Sequence, residues 1–390
     1  MQLFTDSSFF ICLAIAAVPA LILGINEKPI KYYGMAASLF FIWMSMGSDL
    51  KALLCMIAFI VYEFCLIQVQ FRFREAEQDK KWIFYLFIIL SIAPLTVVKA
   101  ALATGIEDGL IGFAGISYMT FKAVQIVIES YDGTITAVKP FEYLYLMLFF
   151  PTITSGPIDR SRRFNDDINR VIPKEEYLAL AENGIVKILL GMLYKTGIAA
   201  VFYYLMKQYG MEHSVVSAVI YMYAYGFNLF FDFAGYSLMA IGAGYILGIK
   251  VPDNFNKPFL AKDIQDFWNR WHITLSHWLR DYVFSRITMN LMRSGRKMDK
   301  LTIASIALMI NMFVMGCWHG LEPQYILYGL YHGVLMTGFE IFRKKSKFYK
   351  KHKKEKWFGF ISWFITLHLV LVGFFLFSGR LTRGILLILK

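Results

Sequence analysis

Two of the seven histidines in this chain of 390 residues stand where a proton could be moved. His319 follows Cys317-Trp318 and precedes Gly320 at the end of an apolar run. An imidazole titrates near working pH, which suits it to take a proton from an attacking hydroxyl. Cys317 as a nucleophile with His319 as its base is disfavoured, because residues two apart on a helix do not face each other. The second histidine is His272, within the stretch running from Ala261 to Arg286. Placed on one helix, Trp268, Trp271, Leu275, Trp278 and Tyr282 form an apolar stripe, and Asp266, Arg270, His277 and Asp281 fall opposite. Asp266 and Arg270 are four apart with the acid first, a favourable pair. A helix lying at the membrane interface, its tryptophans at headgroup level, would explain the aromatics and arginines. It would not explain His272 at the edge of the stripe.

Other polar residues interrupt apolar runs. Asp232, between Asn228 and Tyr236, needs a partner or a water-filled cavity. The glycines around it, from Gly226 to Gly248, would allow close helix packing. Lys122 and Glu129 are seven apart on one face and could line a polar path or simply pack. His332 reads as a packing or interface histidine. The four cysteines (Cys12, Cys55, Cys65 and Cys317) show no C-x-x-C spacing and no histidine at zinc-finger distance, so neither a metal site nor a disulfide framework is expected. The phosphate-binding G-x-x-x-x-G-K-[ST] loop, a strand-linked G-x-G-x-x-G, H-E-x-x-H and G-x-S-x-G are all absent. ATP-driven transport, dehydrogenase and metalloprotease chemistry have no support.

The elements that must position these groups follow from composition. Hydrophobic residues make up 57% and charged ones 17%, with a mean hydropathy of +0.51. That leaves too few polar side chains to cover a soluble surface, while the wealth of aromatics excludes disorder. Helix-length apolar runs fall at 8–24, 32–49, 51–70, 82–100, 110–129, 141–153, 184–206, 214–248, 301–317, 324–342 and 357–377. The run 214–248 is long and glycine-rich, and is expected as two segments or one broken helix. The N-terminal run lacks a basic n-region and reads as a retained first span. The expectation is one all-α integral membrane protein, 1–390, with about eleven transmembrane helices and short surface or re-entrant helices.

The net charge is +12. Residues 343–356 carry nine Lys or Arg against Glu355, and 279–300 carry six against two Asp, so these two stretches hold the whole excess. Beside apolar spans such clusters mark cytoplasmic loops in a cell membrane rather than nucleic-acid binding. Between them, 301–317 and 324–342 read as one pass out and one back. His319 then lies within the membrane but toward the outer face, where a titratable group is a functional candidate by default.

Taken together, several blocks resemble the membrane-bound O-acyltransferase family. They are GISYMTFK at 115–122, FFPTITSGPIDR at 149–160, FDFAGYSLMAIG at 231–242, NFNKPF from 254, DFWNRWHITLS at 266–276 and CWHG at 317–320. The family-like core spans about 115–342, flanked by N-terminal helices (1–110) and C-terminal helices (357–390). Within the family, the SGPIDRSRRF and DFAGYSLMAIG segments are most similar to the Gram-positive branch that moves D-alanine to teichoic acid in cell-wall biosynthesis. The alginate-type acetyltransferases share the blocks but have Asp where this chain has Leu238.

The resemblance implies a helical ring around a thin centre with a central funnel. It also implies D-alanyl delivered as a thioester on the phosphopantetheine of an acidic cytoplasmic carrier protein, no permanently bound cofactor, and a (lipo)teichoic acid acceptor reached across the bilayer. Other membrane proteins of the same D-alanylation machinery are expected partners, and nucleic acid is not. The family's essential histidine matches His319 and its other marked histidine matches His272. Substrate contacts are expected from Asn269, Trp271, Ser276, Trp318 and Asp232. The carrier is expected to dock on Arg286, Ile287, Met289, Met292 and Arg293, an apolar segment with basic flanks.

Overall fold

The computed structural model describes every residue except 76–79, 106–111, 211–213, 296 and 383–390. The first residues of the expected run 110–129 and the end of the C-terminal stretch therefore lie outside the described residues. Among those described there are helices and no strands. The chain divides into two compact units, residues 1–193 with 235–253, and residues 194–234 with 254–390.

The helices in chain order begin with α1 (Ser7–Ile25), α2 (Lys31–Met46), α3 (Leu50–Glu75), α4 (Lys81–Ala103), α5 (Ile116–Tyr131) and α6 (Pro140–Leu148). Next are α7 (Ser161–Asn169), α8 (Lys174–Met192), α9 (Ala199–Tyr209) and α10 (Val215–Ile246). Then follow α11 (Ile264–Trp268), α12 (Ile273–Leu279), α13 (Ser285–Arg293), α14 (Lys300–His319), α15 (Pro323–Lys345), α16 (Lys347–His352) and α17 (Lys356–Phe377). Among the described residues seven helices are long and apolar enough to cross a membrane: α1, α3, α4, α8 continued through a π-helical turn into α9, α10, α14 and α17.

The expected eleven spans are not reached on length and composition. The run 141–153 forms only the nine residues of α6 and a 3₁₀ turn, about 14 Å of helix against a core of roughly 30 Å. Helices α2 and α5 have 16 residues each. The run 214–248 is neither split nor broken: α10 is one helix of 32 residues. Its glycines serve close packing instead. A Cβ on Gly242 would come within 2.3 Å of the Gly184 carbonyl on α8.

In the first unit, α5 buries nearly every side chain. Lys122 donates to the Leu146 carbonyl at 2.8 Å and to Thr152 Oγ1 at 3.3 Å. Glu129 accepts from Gln125 Nε2 and from Arg162 Nε, both at 3.3 Å. Lys122 and Glu129 are thus held by separate partners, and the packing reading fits them. The SGPIDR loop is held the same way. Asp159, fully buried, accepts from the Arg160 amide at 2.7 Å and from Arg163 Nε at 2.8 Å. Burial pushes the Asp159 carboxyl up, and the Arg163 guanidinium pulls against it.

In the second unit, Asp299 opens α14 by accepting from the Leu301 and Thr302 amides at 2.8 and 3.0 Å, a side-chain cap. Pro323 opens α15 at the first position, where its missing N–H costs nothing. The two helices pack as a hairpin through glycine. A Cβ on Gly316 would lie 2.5 Å from the Tyr325 carbonyl, and one on Gly329 would lie 2.9 Å from Gly316 Cα. Only glycine lets these backbones meet, and that contact sets where the end of α14, with His319, comes to lie.

Candidate active site

The stretch 261–286 is not one helix. Helix α11 ends at Trp268, α12 starts at Ile273, and His272 sits between them with φ 43° and ψ 54°. A left-handed conformation in a residue with a Cβ costs about 1–3 kcal/mol and persists only where the surroundings impose it. Here Asn254 imposes it. Its carbonyl accepts the Ile273 amide at 2.9 Å, and its Oδ1 accepts from Thr274 Oγ1 at 2.6 Å. The Asn256 amide, two residues on, donates to the Arg270 carbonyl at 2.9 Å. The NFNKPF segment thus clamps the break from the side, and the break turns His272 inward. The Asn254 clamp was missed from sequence, because nothing in a helical pattern signals a residue that holds a gap.

The tryptophans do not form an exposed interfacial stripe. Trp268, Trp271 and Trp278 are buried in protein. Trp271 packs against Phe374 at 4.7 Å, Phe255 at 5.1 Å and Phe267 at 5.6 Å between ring centroids. The Asp266–Arg270 pair forms as expected, at 2.7 Å.

His272 is 2% exposed, and its Nε2 has no hydrogen-bond partner among the described residues. Phe233 stands edge-on to its ring at 4.8 Å. Trp318 bridges to the second histidine, with centroids 6.1 Å from His272 and 4.6 Å from His319. His319, half-buried at the last turn of α14, is framed by Phe377 at 4.9 Å, Tyr328 at 6.1 Å and Tyr325 at 6.3 Å. Two imidazoles 47 positions apart in sequence therefore share one aromatic chamber. One is buried and neutralised by desolvation, with His319 adding to that push; the other is accessible. Such a pair can hold a proton acceptor beside a hydrogen-bond donor.

The other expected site residues are placed as follows. Trp318 lies between the histidines. Trp271 stands one residue from His272 within the aromatic packing. Ser276 Oγ donates to the Trp271 carbonyl at 3.1 Å, tying the start of α12 back across the break. Asn269 is exposed at the end of α11 and is not turned into the chamber. Asp232 is adjacent to Phe233 in sequence and pairs with Lys195 at 2.5 Å while half exposed. Lys195 lies in the π-helical turn 193–198, and sequence reasoning missed it because that turn has no sequence signature. On α13, Met289, Met292 and Arg293 are exposed, and Arg286 and Ile287 are partly so. His332 is fully buried against Tyr328 at 4.6 Å and Trp268 at 5.1 Å, which fits a packing residue. No metal-ligand cluster occurs among the described residues.

The chain is a member of the membrane-bound O-acyltransferase family, whose model matches residues 35–378. It is a multi-pass membrane acyltransferase. Among its relatives, teichoic acid D-alanyltransferase of Bacillus subtilis (strain 168) is 41% identical over 390 residues, 97% of this chain and 98% of the relative. The protein of the same name from Streptococcus thermophilus is 38% identical over 392 residues, covering 96% and 94%. A probable alginate O-acetylase of Pseudomonas syringae pv. tomato is 30% identical over 270 residues, covering 68% of this chain but 49% of that protein.

Proposed function

We propose that the chain transfers D-alanine from a phosphopantetheine thioester, carried by an acidic protein, to hydroxyls of teichoic acid. The observation that supports this most is the His272–Trp318–His319 chamber in a chain that aligns over nearly its whole length with proteins named for that reaction. The alginate-type reading rests on partial alignments and on a pattern from which Leu238 departs.

In this reading His319 takes the proton of the acceptor hydroxyl as its oxygen attacks the thioester carbonyl. The free Nε2 of His272 donates to the oxyanion of the tetrahedral intermediate. Collapse breaks the carbon–sulfur bond, the thiolate regains the proton from His319, and an ester remains on the acceptor. The thioester supplies the driving force, so the chain needs no nucleotide site and no resident cofactor. Segments 279–300 and 343–356 face the cytoplasm. Helix α14, with 20 residues, then carries His319 about 30 Å away, toward the outer face. The carrier docks on α13, where Met289 and Met292 stand exposed beside Arg293.

The test is mass analysis of base-labile esters on the envelope of cells carrying the wild-type protein or His319→Ala. D-alanine lost in the variant, with the protein folded and still binding its carrier, is the expected outcome. Loss of acetate instead would assign the alginate-type reaction. Esters unchanged with folded protein would make His319 structural and end this mechanism.

A further inference from the structure

Helices α15, α16 and α17 of the second unit border a crevice that the chemistry above does not use. We propose that it binds one anionic glycerophospholipid from the leaflet beside the basic segment 343–356. The crevice has a volume of about 640 Å³ and is lined by Val334, Gly338 and Phe342 on α15, Phe348 on α16, and Trp357 and Ile365 on α17. That volume falls in the ~300–1,000 Å³ range of ligand sites. The space beside Gly338 is open, since a Cβ there would meet no heavy atom within 4 Å.

Its dimensions select a chain-like occupant. The lining runs from Trp357 to Leu369 along α17, about 18 Å at 1.5 Å per residue. On α15 it runs from Phe342 back to Val334, about 12 Å by the same rise. Both distances start at the basic turn and end near the middle of a core of roughly 30 Å, the depth of one leaflet. An acyl chain fits a slot of that depth and polarity.

Charge at the mouth selects the headgroup. The nearby acids are already engaged: Asp263, which lines the crevice, accepts from the Asp266 amide at 2.8 Å, Glu340 faces Arg343 at 2.5 Å, and Glu355 faces His352 at 2.9 Å and the Trp357 indole. Lys347, Lys350, Lys351, Lys353, Lys354 and Lys356 are exposed, and among the described residues none has a carboxylate within ion-pair distance. Lysines grouped beside a span attract anionic lipid. Phe348 and Trp357, both exposed at the entrance, are suited to the interfacial level. A zwitterionic lipid would fill the slot but gain little from the lysines.

Trp357 reports on occupancy. The full-length protein is placed in phosphatidylcholine nanodiscs and titrated with phosphatidylglycerol, or with phosphatidylcholine, brominated on one acyl chain. The Trp357 signal is the fluorescence of the wild type minus that of Trp357→Phe. Half-maximal quenching is expected at a mole fraction of brominated phosphatidylglycerol at least about fivefold below that of brominated phosphatidylcholine. The triple variant Lys347→Gln/Lys350→Gln/Lys351→Gln should bring the two lipids together. Gly338→Phe, which fills the slot and favours helix, should abolish the low-fraction quenching with circular dichroism unchanged. Equal quenching by the two lipids, a preference that survives the lysine changes, or full quenching in Gly338→Phe would each overturn the proposal. Quenching by neither lipid, as a second copy seated in the crevice would give, would overturn it as well.

Discussion

The clamp on His272 gives the sharpest prediction. Asn254 is 1% exposed, and its Oδ1 accepts from the Thr274 hydroxyl at 2.6 Å and the Thr274 amide at 3.4 Å. Asn254→Ala removes both bonds. At about 0.5–1.5 kcal/mol each, the loss in stability is about 1–3 kcal/mol. Of a typical 5–15 kcal/mol, that leaves well over nine-tenths of the molecules folded. Activity should suffer far more. The left-handed backbone at His272 is held against about 1–3 kcal/mol of strain, so a loosened clamp lets the break relax toward regular helix and swings the imidazole away. A displacement near 1 Å in a reacting constellation costs about a hundredfold. The expected result is a drop of at least about tenfold in ester formation per folded molecule, read in proteoliposomes with thermal unfolding measured in parallel. Thr274→Val should reproduce the loss, and Thr274→Ser, which keeps the hydroxyl, should restore most of it. An Asn254→Ala protein that unfolds earlier yet turns over within about twofold of wild type would show that the clamp only stabilises and does not position.

Gly316→Leu should separate α14 from α15, because a Cβ there already meets the Tyr325 carbonyl at 2.5 Å and that backbone cannot yield cheaply. A destabilisation of about 1–3 kcal/mol or more is expected from overpacking, with loss of acyl transfer; unaltered thermal unfolding would refute the close-contact argument. Ile287→Asp with Met289→Asp should abolish carrier binding in a pull-down while the membrane fold persists. Wild-type binding should weaken with added salt, and binding that is unchanged in the double variant or indifferent to salt would move the docking site elsewhere.

The candidate site residues were legible because rare types in apolar surroundings stand out. His319 and His272 were found that way, and so was the Asp266–Arg270 pair, which a helical spacing of four predicts and the structure forms. What could not be read was backbone departure from the regular helix. Periodicity assumes an unbroken 3.6-residue repeat, so it laid His272 on the edge of a stripe, whereas a single left-handed residue put it in the interior. The same assumption hid Asn254, whose role depends on a contact across twenty residues. The opposite error occurred at 214–248, where glycines suggested a break. There close packing against a neighbour rewards small residues without interrupting α10. Hydropathy reports how apolar a run is and not whether it crosses a bilayer: α5 is apolar and buried in protein, with only 16 residues.

Between α12 and α13 the backbone passes through a π-helical turn at Arg280–Phe284. Such a turn is one residue too many for a regular helix, and this makes chain length a design variable here. Deleting one residue of that turn other than the buried Tyr282 would let α12 and α13 fuse into a continuous helix. Each residue also contributes about 100° of rotation. The fused helix would therefore carry Met289, Met292 and Arg293 to a different side of the molecule, with their own side chains intact. A deletion series through this turn, with no substitution anywhere, would change which way α13 faces while sparing the chamber upstream of it.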